Sequence, residues 1–150
     1  MKHKKKTYYI ILANTFPMNH PKAGQPTYFL DYIRNGKSKI HTIRANYDLW
    51  AMRFKEIEKD EACLSVRQWE GFPYRSKQIE IALLTRENGI GLQHLVFDKG
   101  NIYLPKVDGR SITPLQLSDN DGLSFMDWKN WLHKYIGQPL AVIHFTSFRY

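Results

Sequence analysis

Short runs of strand-forming residues recur at irregular intervals along this chain, and they restrict its fold more than any other feature. The runs lie at residues 8–13, 39–44, 62–69, 77–85, 91–97 and 140–145, with a shorter one at 101–105. Three helical patterns interrupt them, at residues 28–35, 47–57 and 123–136. A doubly wound sheet would alternate strands and helices regularly, and this chain does not. About six strands interleaved with helices predict an α+β fold, a small mixed β-barrel with the helices packed at its ends and sides.

The run at residues 62–69, ACLSVRQW, shows the clearest strand alternation. Leu64 and Val66 fall on one side, whereas Ser65, Arg67 and Trp69 fall on the other. A period of two residues is typical of a strand that buries one face. The polar side of this strand is therefore a candidate binding surface.

Each helical pattern follows a residue that can cap a helix. Thr27 precedes the first pattern, Asn46 precedes the second, and Ser124 lies at the start of the third. The side-chain oxygens of these residues accept hydrogen bonds from the free N–H groups of a first helical turn. Apolar stripes at helical spacing support the last two helices; they comprise Tyr47, Trp50, Phe54 and Ile57, and then Phe125, Trp128, Leu132 and Tyr135.

Length, charge and cysteine content indicate the class of protein. At 150 residues and 43% hydrophobic composition, the chain can bury one sizeable core. The formal charge is +8, and half of it comes from the lysines in the first six residues, MKHKKK. We therefore expect a disordered basic tail at residues 1–6 and a single domain at residues 7–150. One cysteine, Cys63, excludes an internal disulfide, and no segment reaches membrane-span length, so we expect a soluble cytoplasmic monomer.

The basic charge and the aromatic content of 14% suit a polyanionic partner. Lysine and arginine attract phosphates, and exposed rings stack on bases. Many proteins that bind no nucleic acid share this composition, so charge alone does not decide the partner.

The segment GKSKIHTIR, residues 36–44, contains the candidate site residues Lys39, Thr42 and Arg44. Lys39 and Thr42 are three residues apart, so in a flat strand they point to opposite faces. They converge only where Lys39 lies in the preceding turn or at a bulge, which the run GKS allows. A desolvated lysine beside a threonine can then accept the hydroxyl proton. The simpler interpretation is a solvated lysine and a strand-forming threonine.

Two other residues of this segment have alternative interpretations. The planar guanidinium of Arg44 either holds a phosphate or a base edge, or forms a structural ion pair with a carboxylate. His41 is either a ligand contact or a core histidine, because alternation places it opposite Thr42.

A second group of candidates lies at the end of the run 62–69 and in the turn that follows. Trp69, Tyr74 and Arg75 combine rings with a cation, as needed to stack a base beside its phosphate, and Arg67 lies on the same strand. Alternatively, Trp69 closes the end of the barrel as a hydrophobic plug. The histidines show no close metal-ligand spacing, so we expect neither a metal site nor another cofactor.

The order of these elements resembles the ASCH domain, a branch of the PUA-like β-barrels. The resemblance rests on the strand Lys39-x-x-Thr42-x-Arg44, on CLSVRQW, and on the segment DNDGLSFMDWKNWL, and it covers residues 8–148. It implies a PUA-like barrel with a cleft that binds RNA or nucleotides. Some small bacterial members of the family are amidohydrolases that act on acetylated cytidine, so the resemblance also implies this activity as an alternative.

Carried over by motif, the catalytic lysine of those enzymes falls on Lys39 and the threonine on Thr42. Their glutamate falls on Asp121, whose side chain is one methylene shorter. The favoured function is therefore RNA or nucleotide binding in a cleft bordered by Lys39, Thr42, Arg44, Arg67 and Asp121. One alternative is a small amidohydrolase that uses Thr42, Lys39 and Asp121. The other is a protein-interaction module whose basic tail is incidental.

Overall fold

The computed structural model describes residues 4–36 and 38–150. Within these residues the chain forms eight strands and four α-helices, so the predicted α+β class is confirmed. The strands are β1 Lys6–Leu12, β2 His41–Ala45, β3 Ala62–Trp69, β4 Gln78–Leu84, β5 Gly91–Phe97, β6 Pro105–Val107, β7 Arg110–Ser111 and β8 Leu140–His144. The helices are α1 Phe29–Asp31, α2 Tyr47–Glu58, α3 Pro114–Asn120 and α4 Phe125–Leu132.

The strands form two separate sheets. A three-stranded sheet has the order β1-β3-β4, with β1 parallel to β3 and β4 antiparallel to it. A five-stranded antiparallel sheet has the order β2-β8-β5-β6-β7. The two sheets share no strand, and no closed barrel is found among the described residues. The six-strand barrel is therefore not confirmed.

The five-stranded sheet lies between two hydrophobic cores, and β8 shows this most clearly. All five residues of β8 are buried, because alternate side chains enter different cores. Ala141 and Ile143 pack with residues of β1, β3 and α2, including Ile10, Leu64, Val66, Trp50 and Phe54. Leu140 and Val142 pack with residues of β5, α3 and α4, including Leu95, Phe97, Leu117, Trp128 and Leu132.

Two of the three predicted helix starts are confirmed. The side chain of Asn46 accepts a hydrogen bond from the backbone of Leu49, and that of Ser124 accepts one from Asp127. The apolar stripes then bury Trp50, Phe54 and Ile57 in α2, and Trp128 and Leu132 in α4. The capping residues and the apolar periodicity therefore predict the same positions for α2 and α4.

The first helix differs from its prediction. Thr27 does not cap it; its hydroxyl donates to the Ala13 carbonyl at 2.7 Å instead. The helix begins after Tyr28, which has a left-handed φ of 63°, and it continues from Tyr32 to Gly36 as a π-helical turn. A residue that bonds back to the preceding loop is not free to cap a helix.

Two parts of the prediction between residues 98 and 122 are wrong. Residues 101–104 form a turn instead of a strand, and the short hairpin of β6 and β7 follows them. The sequence interpretation also missed α3, although Thr113 and Gln116 form a reciprocal capping pair at its start. This helix matters for function because Asp121 directly follows it.

Two of the N-terminal lysines, Lys5 and Lys6, contact the folded domain. Residues 1–3 of the predicted tail lie outside the described residues. Lys5 pairs with Asp60 at 2.6 Å, and Lys6 is the first residue of β1. The predicted disordered tail therefore does not extend to Lys5 and Lys6. Among the described residues, no helix has the length and apolar character needed to cross a bilayer.

Candidate functional site

A cleft of about 960 Å³ opens beside β2. Its walls come from the end of β1, the loop at residues 13–18, the segment that follows β3, and the last turn of α4. Four predicted site residues line it together, and we call them the floor: Lys39, Thr42, Arg44 and Asp121. The volume suits a ligand larger than a few atoms.

Lys39 and Asp121 form a buried ion pair in the floor. The Lys39 Nζ lies 2.8 Å from Asp121 Oδ1 and 2.8 Å from the Asp121 backbone oxygen. Their side chains are only 2% and 7% exposed. Lys39 lies before β2, where it forms an isolated bridge with Asp121. This position outside the regular strand is the condition under which Lys39 and Thr42 were expected to reach the same site.

The aspartate reaches Lys39 because the two backbones are neighbours. Gly122, directly after Asp121, has a φ of +75° and lies against Lys39. A Cβ at this position would lie 3.0 Å from the Lys39 Cβ and 3.4 Å from the ring of Tyr32. A glycine is therefore needed for both the turn and the close approach. Because the backbones are this close, the short side chain of Asp121 reaches the Lys39 amine.

The environment of this pair shifts the pKa values of both groups. Burial lowers the pKa of the Lys39 amine, and the Asp121 charge opposes part of that shift. Burial acts to raise the pKa of Asp121, but the Lys39 charge and His41 outweigh it, so that this pKa falls below its ordinary value. The Lys39 amine also lies 4.0 Å from the ring centroid of Phe29. The aspartate is thus ionised, and the lysine holds its proton less firmly than in water.

Arg44 lies in the floor with part of its hydrogen-bonding capacity unused. Its Nη2 donates to the Ile11 carbonyl at 2.9 Å, whereas its buried Nε has no partner. None of the ion pairs among the described residues includes Arg44. Burial lowers the pKa of Arg44, but a guanidinium remains charged at neutral pH. The Asp121 charge opposes part of this pKa shift, but no carboxylate of the described residues lies within ion-pair distance of Arg44. The anion-binding interpretation is therefore favoured over a direct structural ion pair.

Three aromatic residues from the end of β3 and the turn after it also line the cleft, and we call Trp69, Phe72 and Tyr74 the rim. The ring centroids of Trp69 and Tyr74 are 5.2 Å apart. Phe72 is 79% exposed and Tyr74 is 89% exposed. Trp69 is half-buried and belongs to neither hydrophobic core, so the plug interpretation has no support from the packing.

A second aromatic wall was not predicted. Phe16, Phe29 and Trp131 line the cleft, with the Phe16 and Trp131 centroids 5.4 Å apart and the Phe29 and Trp131 rings stacked at 5.9 Å. Trp131 also packs against the hydrophobic core that contains Phe29. The loop that carries Phe16 is held by buried His20, whose Nε2 lies 2.9 Å from the Asp127 carbonyl. Residues 15–27 of this loop, TFPMNHPKAGQPT, are rich in proline and glycine, and no other sequence signal indicates this wall.

Three predicted binding residues do not line the cleft. His41 is fully buried and contacts the Tyr150 hydroxyl at 2.6 Å, as expected for a core histidine in place of a ligand contact. The Arg67 Nε donates to the Ser65 hydroxyl at 2.9 Å, and its guanidinium lies over the Tyr9 ring. Ser65 is itself buried and donates a hydrogen bond to Glu80 of β4. The polar side chains of β3 are therefore hydrogen-bonded within the sheet. Arg75 is exposed on the turn after β3.

Comparison with known proteins finds no match to this chain among protein-family models, curated proteins or solved structures. The chemistry of the cleft is therefore inferred from its geometry.

Proposed function

We propose that the cleft binds a nucleotide unit, either as a free nucleotide or as part of an RNA strand. The observation that carries this proposal is that Arg44, which forms no ion pair among the described residues, lines the same cleft as Trp69 and Tyr74. A guanidinium binds phosphate through charge-assisted hydrogen bonds. An aromatic side chain stacks on a base of any sequence. The phosphate and the base of a nucleotide thus each have a matching group in the cleft.

The remaining floor residues supply polar contacts of the kind that fix a ligand's orientation. The hydroxyl of Thr42 both donates and accepts hydrogen bonds, and the Asp121 carboxylate accepts them. A pocket with mostly apolar walls and a few convergent polar groups is typical of a small-molecule site. This composition supports a nucleotide more strongly than a protein partner.

Membership of the ASCH branch, with a PUA-like architecture, is part of the same proposal. It is supported by the lysine, threonine and arginine of the motif lining one cleft together with the acidic residue after α3. It is also supported by Asp121 reaching Lys39 at 2.8 Å despite its shorter side chain.

A competition experiment tests the proposal. A short fluorescent single-stranded RNA is titrated with the protein, and then cytidine 5′-monophosphate or cytidine is added. We expect the monophosphate to displace the RNA at lower concentration than cytidine, because only the monophosphate can occupy both Arg44 and the rings. Direct binding of the monophosphate without RNA binding would assign the cleft to free nucleotides. The proposal fails if neither the RNA nor the monophosphate binds, and a protein-interaction module would then be favoured.

A second candidate function is hydrolysis of an acetylated cytidine-type nucleoside, and the buried Lys39–Asp121 pair in the same cleft as Thr42 favours it. In its neutral form Lys39 would accept the Thr42 hydroxyl proton while the Thr42 oxygen attacks the acetyl carbonyl. The proton would then pass to the departing amine, leaving an acetyl ester on Thr42 that water cleaves to acetate. Burial of Lys39 assists the loss of its proton.

Acetate release from N4-acetylcytidine tests this second function. We expect Thr42→Val to abolish acetate release and Thr42→Ser to retain part of it. Lys39→Met should reduce release nearly as much as Thr42→Val, because the two residues act as a unit. Absence of acetate with the wild-type protein would remove the enzymatic function and leave nucleotide binding untouched.

A further inference from the structure

A buried chain of polar side chains runs behind the floor and ends at Asp121. The Asn120 Nδ2 lies 3.0 Å from the Tyr150 hydroxyl, and that hydroxyl lies 2.6 Å from the His41 Nε2. The other ring nitrogen, His41 Nδ1, lies 3.5 Å from Asp121 Oδ1. His41 is completely buried, and Asp121 is nearly so.

The hydrogen-bonding rules of these groups fix the direction of the chain. The Asn120 amide nitrogen only donates, so the Tyr150 oxygen accepts from it. The single hydroxyl hydrogen of Tyr150 then goes to the His41 Nε2, because its other acceptor, the Gln116 carbonyl, is 3.5 Å away. The shorter contact therefore favours the neutral His41 tautomer that carries its hydrogen on Nδ1.

The Nδ1–H of His41 has one acceptor within reach, the Asp121 carboxylate. At 3.5 Å this contact is longer than an ordinary hydrogen bond, and no other described residue bonds this nitrogen. Contacts of this kind are often long without ligand and shorten when a site is occupied. The titratable groups around His41 are Asp121, Tyr150 and His144.

Lys39 and His41 both approach the same oxygen of Asp121. Their contacts converge on Oδ1, and no described residue bonds Oδ2. Fixing Oδ1 from two sides leaves Oδ2 to accept a hydrogen bond in the cleft. An exocyclic amine or a ribose hydroxyl would supply the donor.

We propose that His41 is a positioning residue for the cleft: Tyr150 fixes its tautomer, and its Nδ1–H holds the Asp121 carboxylate so that Oδ2 can contact the ligand. Its effect on ligand affinity rests on the proposed nucleotide binding. The predicted tautomer of His41 does not depend on nucleotide binding.

Nitrogen-15 NMR of the histidine side chains tests the first half without any ligand. His41→Asn identifies the His41 signals by their loss. We expect the Nδ1–H tautomer for His41 in the wild-type protein and a loss of that preference in Tyr150→Phe. An Nε2–H tautomer in the wild-type protein would overturn the proposal.

A matched pair of substitutions tests the second half. Asparagine at position 41 places an amide N–H near the Nδ1 position, facing Asp121, whereas glutamine places one near the Nε2 position, facing Tyr150. We expect His41→Gln and Tyr150→Phe to weaken cytidine 5′-monophosphate binding by about threefold to tenfold, and His41→Asn to retain most of the affinity. Tyr103→Phe, which removes an exposed hydroxyl outside the cleft, should change nothing.

The outcomes separate this proposal from the nucleotide proposal. Equal losses in His41→Asn and His41→Gln, with equal falls in melting temperature, would show a merely structural histidine and overturn the inference. If the wild-type protein binds neither the monophosphate nor RNA, the nucleotide proposal fails, and the NMR result alone decides whether His41 orients Asp121.

Discussion

The floor and the rim of the cleft differ in burial and in polarity. Lys39 and Asp121 of the floor are 3% and 5% exposed, and their charges are held by direct contacts. Phe72 and Tyr74 of the rim are 79% and 89% exposed and lie on a turn. The floor is a set of desolvated polar groups in fixed positions, whereas the rim is a set of rings facing water.

This difference separates stability from recognition. Changes in the floor disturb buried charges, so they affect folding as well as binding. Changes in the rim remove exposed apolar area, so they affect binding with little effect on folding. The predictions below test this separation, from the largest expected effect to the smallest.

Asp121→Asn should have the largest effect. It leaves the Lys39 charge buried without its partner, which typically costs about 3–5 kcal/mol of folding free energy. Urea unfolding measures the loss. Lys39→Met combined with Asp121→Asn should recover part of it, since both charges are then absent, and Asp60→Asn at the exposed Lys5 pair should cost far less. A similar loss for Asp60→Asn and Asp121→Asn would contradict the assignment of a buried pair.

The buried side chain of His144 should make stability depend on pH. Burial, with smaller effects of His41 and Arg149, lowers the pKa of His144 from 6.5 to about 3. The unfolded chain therefore binds a proton first as pH falls, and stability decreases from about pH 6.5 towards pH 3, by about 1.4 kcal/mol per pH unit for this one group.

His144→Gln is the matched control for this prediction. Glutamine can keep a donor to the Gln93 side chain, 2.9 Å from the His144 Nε2, but it does not titrate. The slope of unfolding free energy against pH should be shallower in the variant. An unchanged slope would show that other groups cause the acid sensitivity.

Trp69→Ala tests the rim. Stacking on one base contributes about 1–3 kcal/mol, so binding of cytidine 5′-monophosphate should weaken by that amount. The melting temperature should fall little, because Trp69 belongs to neither core. A large fall in melting temperature with unchanged affinity would restore the plug interpretation and break the distinction between floor and rim.

Thr42→Val should give the smallest of these effects if the floor binds without catalysis. Valine keeps the shape and the strand preference but removes the hydroxyl. The expected loss is one hydrogen bond to the ligand, about 0.5–1.5 kcal/mol of affinity, measured by calorimetry. No loss of affinity would remove Thr42 from the binding site.

The sequence predicted the elements whose signals are local. The strands β3, β5 and β8 and the helices α2 and α4 have clear periodicity or caps, and each lies close to its predicted position. The spacing of Lys39 and Thr42 alone predicts opposite faces of a strand, so it was the family resemblance that grouped Lys39, Thr42, Arg44 and Asp121 in one cleft.

The parts that failed depend on contacts distant in the chain. Thr27 had a cap-forming side chain, but the loop carbonyl of Ala13 competes for its hydroxyl. The two-sheet arrangement depends on which strands pair, and strand periodicity does not encode the partner. The Lys39–Asp121 bridge joins residues 82 positions apart, so no local pattern predicts that an aspartate reaches the lysine. Phe16 and Trp131 are also far apart in the chain, so no local pattern predicts their contact.

The most direct test of nucleotide binding is a calorimetric cycle with two ligands and two proteins. Cytidine 5′-monophosphate and cytidine are each titrated into the wild-type protein and into Arg44→Met, with Arg110→Met as a control at an exposed arginine of β7. We predict that the wild-type protein and Arg110→Met prefer the monophosphate by about tenfold or more, the value of a charge-assisted hydrogen bond, and that Arg44→Met loses this preference while it still binds cytidine. Equal preference for the monophosphate in wild type and Arg44→Met, or no binding of either ligand, would contradict the central claim.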